Sequence, residues 1–181
     1  MYAELHAVSN FSFLKGASQP AEMVARAIEL GYTALAMTDE CSVAGVVRGH
    51  EEAKKHGFHL IVGSEMRTED GLNVIVLAET RRGYGHLCRL ITSARRAAPK
   101  GRYRLSRAQL EGALDECSIV WLPHPHLVDE QGTWLRDRFE NLWMGAELHR
   151  GGNDAARLLE LLAWSRRLGI PITACGGALM H

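Results

Sequence analysis

The sequence has few cysteines, and none of them are spaced as metal-binding or disulfide-forming pairs usually are. Its four cysteines lie far apart and form no C-x-x-C motif: Cys41, Cys88, Cys117 and Cys175. This spacing excludes a zinc ribbon and gives no sign of a disulfide framework, so we expect reduced cysteines in a cytoplasmic protein. The sequence also has no apolar run long enough for a membrane span and no secretory leader pattern, so we expect no membrane partner.

An excess of charge of either sign is also missing. The 21 Lys and Arg residues balance the 21 Asp and Glu residues, so no overall field recruits nucleic acid or an anionic membrane. What remains is the composition of an ordinary globular protein, with 46% hydrophobic residues to form a core. A chain of 181 residues predicts one domain, residues 1–181. It stops directly after a predicted strand that no helix covers, and we therefore expect a fragment of a longer protein.

Short apolar runs alternate with helical patterns along most of the chain, which predicts an α/β fold with mainly parallel strands. An Asp-Gly pair at 70–71 predicts a hairpin between the third and fourth strands. Seven strands favour a distorted (β/α) barrel over an open sheet. The predicted strands are 2–8, 34–40, 59–66, 72–79, 118–123, 142–149 and 170–176, and the predicted helices are 20–31, 43–57, about 84–97, about 106–114, 131–139 and 153–168.

Ionisable residues lie at or just after the ends of the predicted strands, where a barrel gathers its catalytic and binding residues. They are His6, Asp39, Glu40, Glu65, His124, His126, Glu147 and His149. His, Asp and Glu converging at strand ends is a ligand pattern of metal-dependent hydrolases. The alternative is structural: a lone strand histidine is often a hydrogen-bonded core residue, and Asp39 after Thr38 could cap the following helix.

Several segments, in their order and spacing, resemble the PHP (polymerase and histidinol phosphatase) domain. The resemblance is to the form carried by bacterial error-prone DnaE-type DNA polymerases of the ImuC kind, related to the DNA polymerase III alpha subunit. It covers essentially the whole chain and implies a distorted seven-stranded barrel, a metal cluster, and phosphoesterase or 3′–5′ exonuclease activity in active members. The segments are "ELHAVSNFSFLKGAS", "ALAMTDE", "GVVRGHEEAKKHG", "IVGSE" and "GIPITACGGALMH".

According to this resemblance, most positions that carry a metal ligand in the family hold a different residue in this sequence. Matching ligand positions remain at His6, Asp39 and Glu65. The family's other ligands are replaced by Val8, Lys15, Glu40, Gly177 and Leu179. His124, His126 and His149 lie near family ligand positions, but the register there is good only to a residue or two, so we assign them no role.

These losses predict a catalytically silent domain with no metal, no catalytic residue and no cofactor of its own. We expect Lys15 to act as a counter-ion to Asp39, Glu40 and Glu65; the alternative is a solvent-facing lysine on a loop. The competing functional prediction is an active metal-dependent phosphoesterase or 3′–5′ proofreading exonuclease.

The resemblance also implies a parent protein and its partners. That parent would be an error-prone translesion DNA polymerase, using Mg²⁺ for nucleotidyl transfer during DNA-damage-induced (SOS) mutagenesis. The expected partners are the remainder of the polymerase chain, DNA through the parent, and possible mutasome proteins and the sliding clamp. A third hypothesis makes the domain a docking module for those last partners.

One segment is strongly basic. No acidic residue lies between Glu79 and Glu111, whereas nine cationic residues do: Arg81, Arg82, Arg89, Arg95, Arg96, Lys100, Arg102, Arg104 and Arg107. The segment is either a phosphate-backbone track or, as the overall neutrality favours, a solvated helix face or docking surface.

Overall fold

A computed structural model describes residues 2–181, except for the side chain of Leu127. Seven strands follow one another in chain order within a single sheet. They are β1 (Ala3–Ala7), β2 (Ala34–Met37), β3 (His59–Arg67), β4 (Asn73–Ala78), β5 (Cys117–Trp121), β6 (Leu142–Ala146) and β7 (Ile172–Ala174). A parallel bridge between Ala7 and Ala178 joins the two edges, so the sheet is a nearly closed barrel, as predicted.

In the part of the chain that the structure describes, six helices lie between the strands. They are α1 (Pro20–Glu29), α2 (Val46–Lys55), α3 (Arg81–Arg96), α4 (Arg107–Leu110), α5 (Val128–Arg136) and α6 (Asp154–Leu168), with a 3-10 turn at Pro125–Leu127. Apolar side chains of α1 and α2 pack on β1 and β2, and those of α3, α5 and α6 pack on the other strands. The helices therefore surround the barrel and leave the strand ends free to form its mouth.

The strand directions match the prediction with one exception. β1, β2 and β3 are parallel, as are β5, β6 and β7, while β3 and β4 form the predicted antiparallel hairpin. However, β5 is also antiparallel to β4, although two helices separate them. The helices α3 and α4 therefore connect opposite-running neighbours instead of forming the parallel crossover that strand–helix alternation suggested.

Several helix ends differ from the sequence prediction, and local contacts explain two of them. α3 starts at Arg81 because the Thr80 hydroxyl accepts hydrogen bonds from the backbone of Arg82 and Gly83, both at 3.1 Å. α4 stops at Leu110, and Gly112 then turns the chain with a φ of +79°. α5 begins at Val128, three residues before the expected position.

Candidate functional site

His6 lies near the end of β1, where it is almost fully buried and faces two carboxylates. Its Nδ1 atom contacts Glu147, and its Nε2 atom lies 3.8 Å from Glu65 Oε2, an ionic contact longer than a hydrogen bond. Burial lowers the pKa of His6, but the Glu147 and Glu65 carboxylates outweigh it and raise that pKa to about 9. The ring is therefore an imidazolium at neutral pH, with a proton on each nitrogen.

Glu65, on β3, is the carboxylate that three cations share: His6, Lys15 and Arg67, whose Nη2 atom lies 3.7 Å from Glu65 Oε1. Burial raises its pKa, but the positive charges of His6 and Lys15 outweigh burial and lower it to about 2. Lys15 Nζ lies 3.7 Å from Glu65 Oε2. Glu65 is thus ionised at all ordinary pH values.

Asp39, two residues after the end of β2, is buried, and its carboxylate is held by the loop that follows β1. Its carboxylate accepts hydrogen bonds from the Ser9 backbone at 2.9 Å, the Ser9 hydroxyl at 2.8 Å and the Ser12 hydroxyl at 2.8 Å. Lys15 was expected to pair with Asp39, but these neutral donors bind the Asp39 carboxylate instead. The carboxylate oxygens point at the loop and fix its conformation.

The same loop carries Lys15 to the mouth of the barrel. Lys15 Nζ lies 2.6 Å from Glu40 Oε2, and the Tyr103 hydroxyl donates a hydrogen bond of 2.9 Å to Glu40 Oε1. The loop folds back tightly enough that a Cβ at Gly16 would lie 2.1 Å from the Ser9 carbonyl oxygen. Glycine at that position is therefore required to bring the lysine to Glu40.

The remaining replaced positions line the same region. Val8 is buried, and its backbone donates to the Ala178 carbonyl at 2.8 Å, next to the seam of the barrel. Gly177 has a φ of +61°, and a Cβ there would lie 3.0 Å from Glu147 Oε1. Leu179 is about half exposed. Glu147 thus occupies space beside the position where the family pattern has a carboxylate.

The three unassigned histidines are all exposed. His124 and His126 stand side by side around the 3-10 turn, with ring centroids 5.4 Å apart. The His149 ring lies next to Gly177, with its Cε1 atom 3.2 Å from the position of an added Cβ. Of the three, His149 is therefore the one placed beside the His6–Glu147 pair.

Sequence reasoning did not assign a role to two acids that shape the site. Glu147 appeared only as one of several strand-end acids, yet it is the partner of His6. Glu4 was not singled out, although it is buried and accepts hydrogen bonds from the backbones of His6 at 2.8 Å and Gly176 at 2.7 Å. Alternation of side chains along a strand places residues 4 and 6 on one face of β1, and this spacing could have predicted that Glu4 lies beside His6.

The side chains at the mouth bind one another and do not converge on a common point. Within residues 2–181, no group of three or more His, Cys, Asp or Glu side chains has an arrangement that could hold a metal ion. The described helices also include none with the length and apolar character needed to cross a membrane.

Comparisons with known proteins agree with this architecture. A family model described as "PHP domain" matches residues 4–152. An error-prone DNA polymerase of Methylococcus capsulatus is 56% identical over 100% of this chain and 18% of its own length. An error-prone DNA polymerase of Pseudomonas aeruginosa is 55% identical over 99% of this chain and 18% of its own. The chain therefore spans about a fifth of the length of these relatives.

Two solved structures share the fold at low sequence identity. An amidohydrolase from Chromobacterium violaceum has a TM-score of 0.77 at 12% identity, covering 99% of this chain and 88% of its own. A candidate metal-dependent phosphoesterase from Bifidobacterium adolescentis has a TM-score of 0.68 at 15% identity, covering 98% and 87%. The resemblance drawn from the motifs is confirmed: this chain belongs to the PHP domain family.

Proposed function

We propose that this chain is a catalytically silent PHP domain that serves as a structural and interaction module of an error-prone DNA polymerase. The observation that carries the proposal is the Lys15 ammonium, 2.6 Å from Glu40 and 3.7 Å from Glu65 at the barrel mouth. A fixed cation stands where the family pattern has a metal-binding carboxylate. The charge of the lost ions is thus supplied by the protein itself.

The electrostatics of the mouth support this proposal. Two cations, Lys15 and the His6 imidazolium, face the carboxylates of Glu40, Glu65 and Glu147. At about 4 Å and an effective dielectric constant of about 20, each unit charge changes the energy of a divalent ion by roughly 8 kcal/mol. The two cations therefore cancel most of the attraction that the three carboxylates alone would exert on such an ion.

The donor set supports it as well. His6 would have to release the proton that its raised pKa favours before it could bind a metal, and the Asp39 carboxylate already accepts three hydrogen bonds. Moving either group onto an ion would leave buried partners unpaired, which costs about 1–3 kcal/mol for each unsatisfied group. The donor set at the mouth therefore does not favour hydrolysis by this chain.

The role we propose for the parent follows from its named relatives. It would be a DNA polymerase that copies damaged DNA in the cytoplasm during SOS mutagenesis, with its Mg²⁺ site outside these residues. The barrel would support the rest of the polymerase chain, because its outer surface can still make contacts when its mouth no longer binds metal. Mutasome proteins and the sliding clamp are the partners we propose for that surface.

A second candidate is an active phosphoesterase or 3′–5′ exonuclease. It is favoured by the retention of His6, Asp39 and Glu65 in one region and by the His6 Nε2 atom, which is buried without a hydrogen-bond partner. The fold alone does not decide between the two, since one fold hosts active and inactive members.

A nuclease assay separates the two candidates. The chain is incubated with 3′-labelled single-stranded DNA and Mn²⁺, with and without chelator, beside an Asp39→Asn variant as matched control. We expect release of label no greater than in the control. Chelator-sensitive release that disappears in the Asp39→Asn variant would establish the enzyme and end the proposal of silence.

A separate metal-binding experiment tests whether the replaced positions can form a site again. The variant Val8→His, Lys15→Asp, Glu40→His returns the ligand types that the family pattern has at these three positions and removes the cation. A gain of Mn²⁺ binding by this folded variant, absent in the parent chain, is the expected result.

A further inference from the structure

The outer face of α3 carries a row of cationic side chains that the barrel mouth does not use. Arg81, Arg89 and Arg96 are eight and seven residues apart, so they lie on one side of the helix. Lys100 and Arg102 continue the row just after the helix. We propose that these five residues, the α3 basic row, bind the phosphate backbone of a nucleic acid.

The row is distinct from the other cations of the same segment, which are engaged within the protein. Arg82 pairs with Glu116 at 3.5 Å and Arg104 with Glu69 at 3.0 Å. Arg107 pairs with Asp70 and Glu130, and Arg95 donates to the backbone carbonyls of Glu40 and Cys41. These four side chains hold the structure together and are excluded from the proposed surface.

The five residues of the row are exposed and have no such partner. Within residues 2–181, no carboxylate lies within 4.0 Å of Arg81, Arg89, Arg96, Lys100 or Arg102. The sequence supplies no acid between Glu79 and Glu111 that could neutralise them locally. The positive field of the row therefore persists although the chain as a whole is neutral.

Residue chemistry favours a phosphate backbone over an acidic protein. Four of the five cations are arginines, whose planar guanidinium matches phosphate oxygens bidentately. Ser93, exposed on the same helix, adds a hydroxyl donor, and Tyr84 at its start is 40% exposed. The row lacks the central cluster of large apolar side chains that protein interfaces usually bury.

The length of the row also suits a nucleic acid. The 16 residues from Arg81 to Arg96 span roughly 22 Å along the helix axis, at 1.5 Å for each step between residues. At about 3.4 Å per phosphate in one strand, this distance matches about six nucleotides of a duplex. The inference goes beyond the proposed function, since it holds whether or not the barrel is silent.

Fluorescence anisotropy with a labelled 20-base-pair duplex tests the proposal through its salt dependence. Five phosphate contacts predict a slope of about −4.5 for the logarithm of affinity against the logarithm of salt concentration. Affinity should then fall about 500-fold between 50 and 200 mM salt. No measurable binding at 50 mM salt would overturn the proposal.

Matched variants locate the contacts. Arg89→Gln/Arg96→Gln removes two cations from the row, while Lys54→Gln/Arg166→Gln removes two exposed, unpaired cations from α2 and α6. We expect the first variant to make the slope about 1.8 shallower and the second to leave it unchanged. Equal effects of the two variants, with both folded by circular dichroism, would mean non-specific attraction and contradict the proposal.

An acidic protein partner is the competing outcome. A polyglutamate peptide of the same total charge is titrated against the chain under the same conditions. We expect binding at least tenfold weaker than to the duplex. Equal or tighter binding that also depends on Arg89 and Arg96 would replace the nucleic acid with an acidic polypeptide and overturn the proposal.

Discussion

Lys15 and Glu40 form an ion pair of 2.6 Å at the mouth of a PHP barrel. In the family pattern these two positions carry a carboxylate and a histidine, which are both metal ligands. Here they are a cation and an anion that bind each other. The two replacements are therefore complementary, because either one alone would leave an uncompensated charge beside Glu65.

Replacing Lys15 with alanine should destabilise the chain at neutral pH. The carboxylates of Glu40 and Glu65 would lose their shared cation, at a cost of roughly 1 kcal/mol because the lysine is partly exposed. The loss should be smaller near pH 2, where the Glu65 carboxylate becomes partly protonated. Urea unfolding at both pH values checks this. The matched control is Lys55→Ala, which removes an exposed ion pair with Glu52. If Lys15→Ala lowered the free energy of unfolding no more than the control does, or by the same amount at both pH values, the account would be contradicted.

The stability of the chain should decline between pH 6.5 and about pH 9. The pKa of His6 is raised from 6.5 to about 9, so its stabilisation is fully present below 6.5 and lost as pH rises through 9. The pKa of Glu65 is lowered to about 2, so its contribution is present above 4.5 and lost as pH falls through 2. Urea midpoints across this range should fall less steeply for His6→Gln. A His6 imidazole that NMR shows to be neutral at pH 7 would refute this.

Asp39→Asn should destabilise the chain by about 2–3 kcal/mol, whether or not a chelator is present. The asparagine amide would direct a donor at a site where the Ser9 backbone and the Ser9 and Ser12 hydroxyls already donate. A metal ligand would behave differently, because its replacement would matter only while metal is bound. Denaturation curves with and without chelator distinguish the two, and a loss that vanishes in chelator would identify Asp39 as a ligand.

Gly176→Ala should be costly because Glu4 fills the space where a side chain would go. An added Cβ would lie 2.2 Å from Glu4 Oε2, and the Glu4 carboxylate also accepts the Gly176 backbone hydrogen bond at 2.7 Å. We expect a loss of about 2 kcal/mol, partly relieved in the double variant with Glu4→Ala. Gly152→Ala, with no atom within 4 Å of its Cβ, is the control and should be neutral. Equal effects at the two glycines would disprove this packing role.

The barrel could be predicted from the sequence because hydrophobic periodicity and turn residues act locally. The alternation of patterns gave the strands, and the Asp70–Gly71 pair gave the hairpin, as β3 and β4 confirm. The direction of β5 could not be predicted in this way. It depends on how α3 and α4 pack on the sheet, which is a long-range property.

The site was predictable in its residues but not in its pairings. Motif positions placed His6, Asp39 and Glu65 in one region and Lys15 beside them. Which carboxylate faces which cation depends on contacts between distant segments, such as His6 with Glu147, 141 residues away in the chain. Asp39 was expected to face Lys15, but its carboxylate instead accepts hydrogen bonds from Ser9 and Ser12 of the loop after β1.

Manganese titration by calorimetry, on chain freed of metal and returned to pH 7, tests most directly whether internal cations have replaced the ions of this barrel. With Lys15 and the protonated His6 in place, we predict no saturable binding of Mn²⁺. Saturable uptake of one or more equivalents, lost in the His6→Gln variant, would contradict the account.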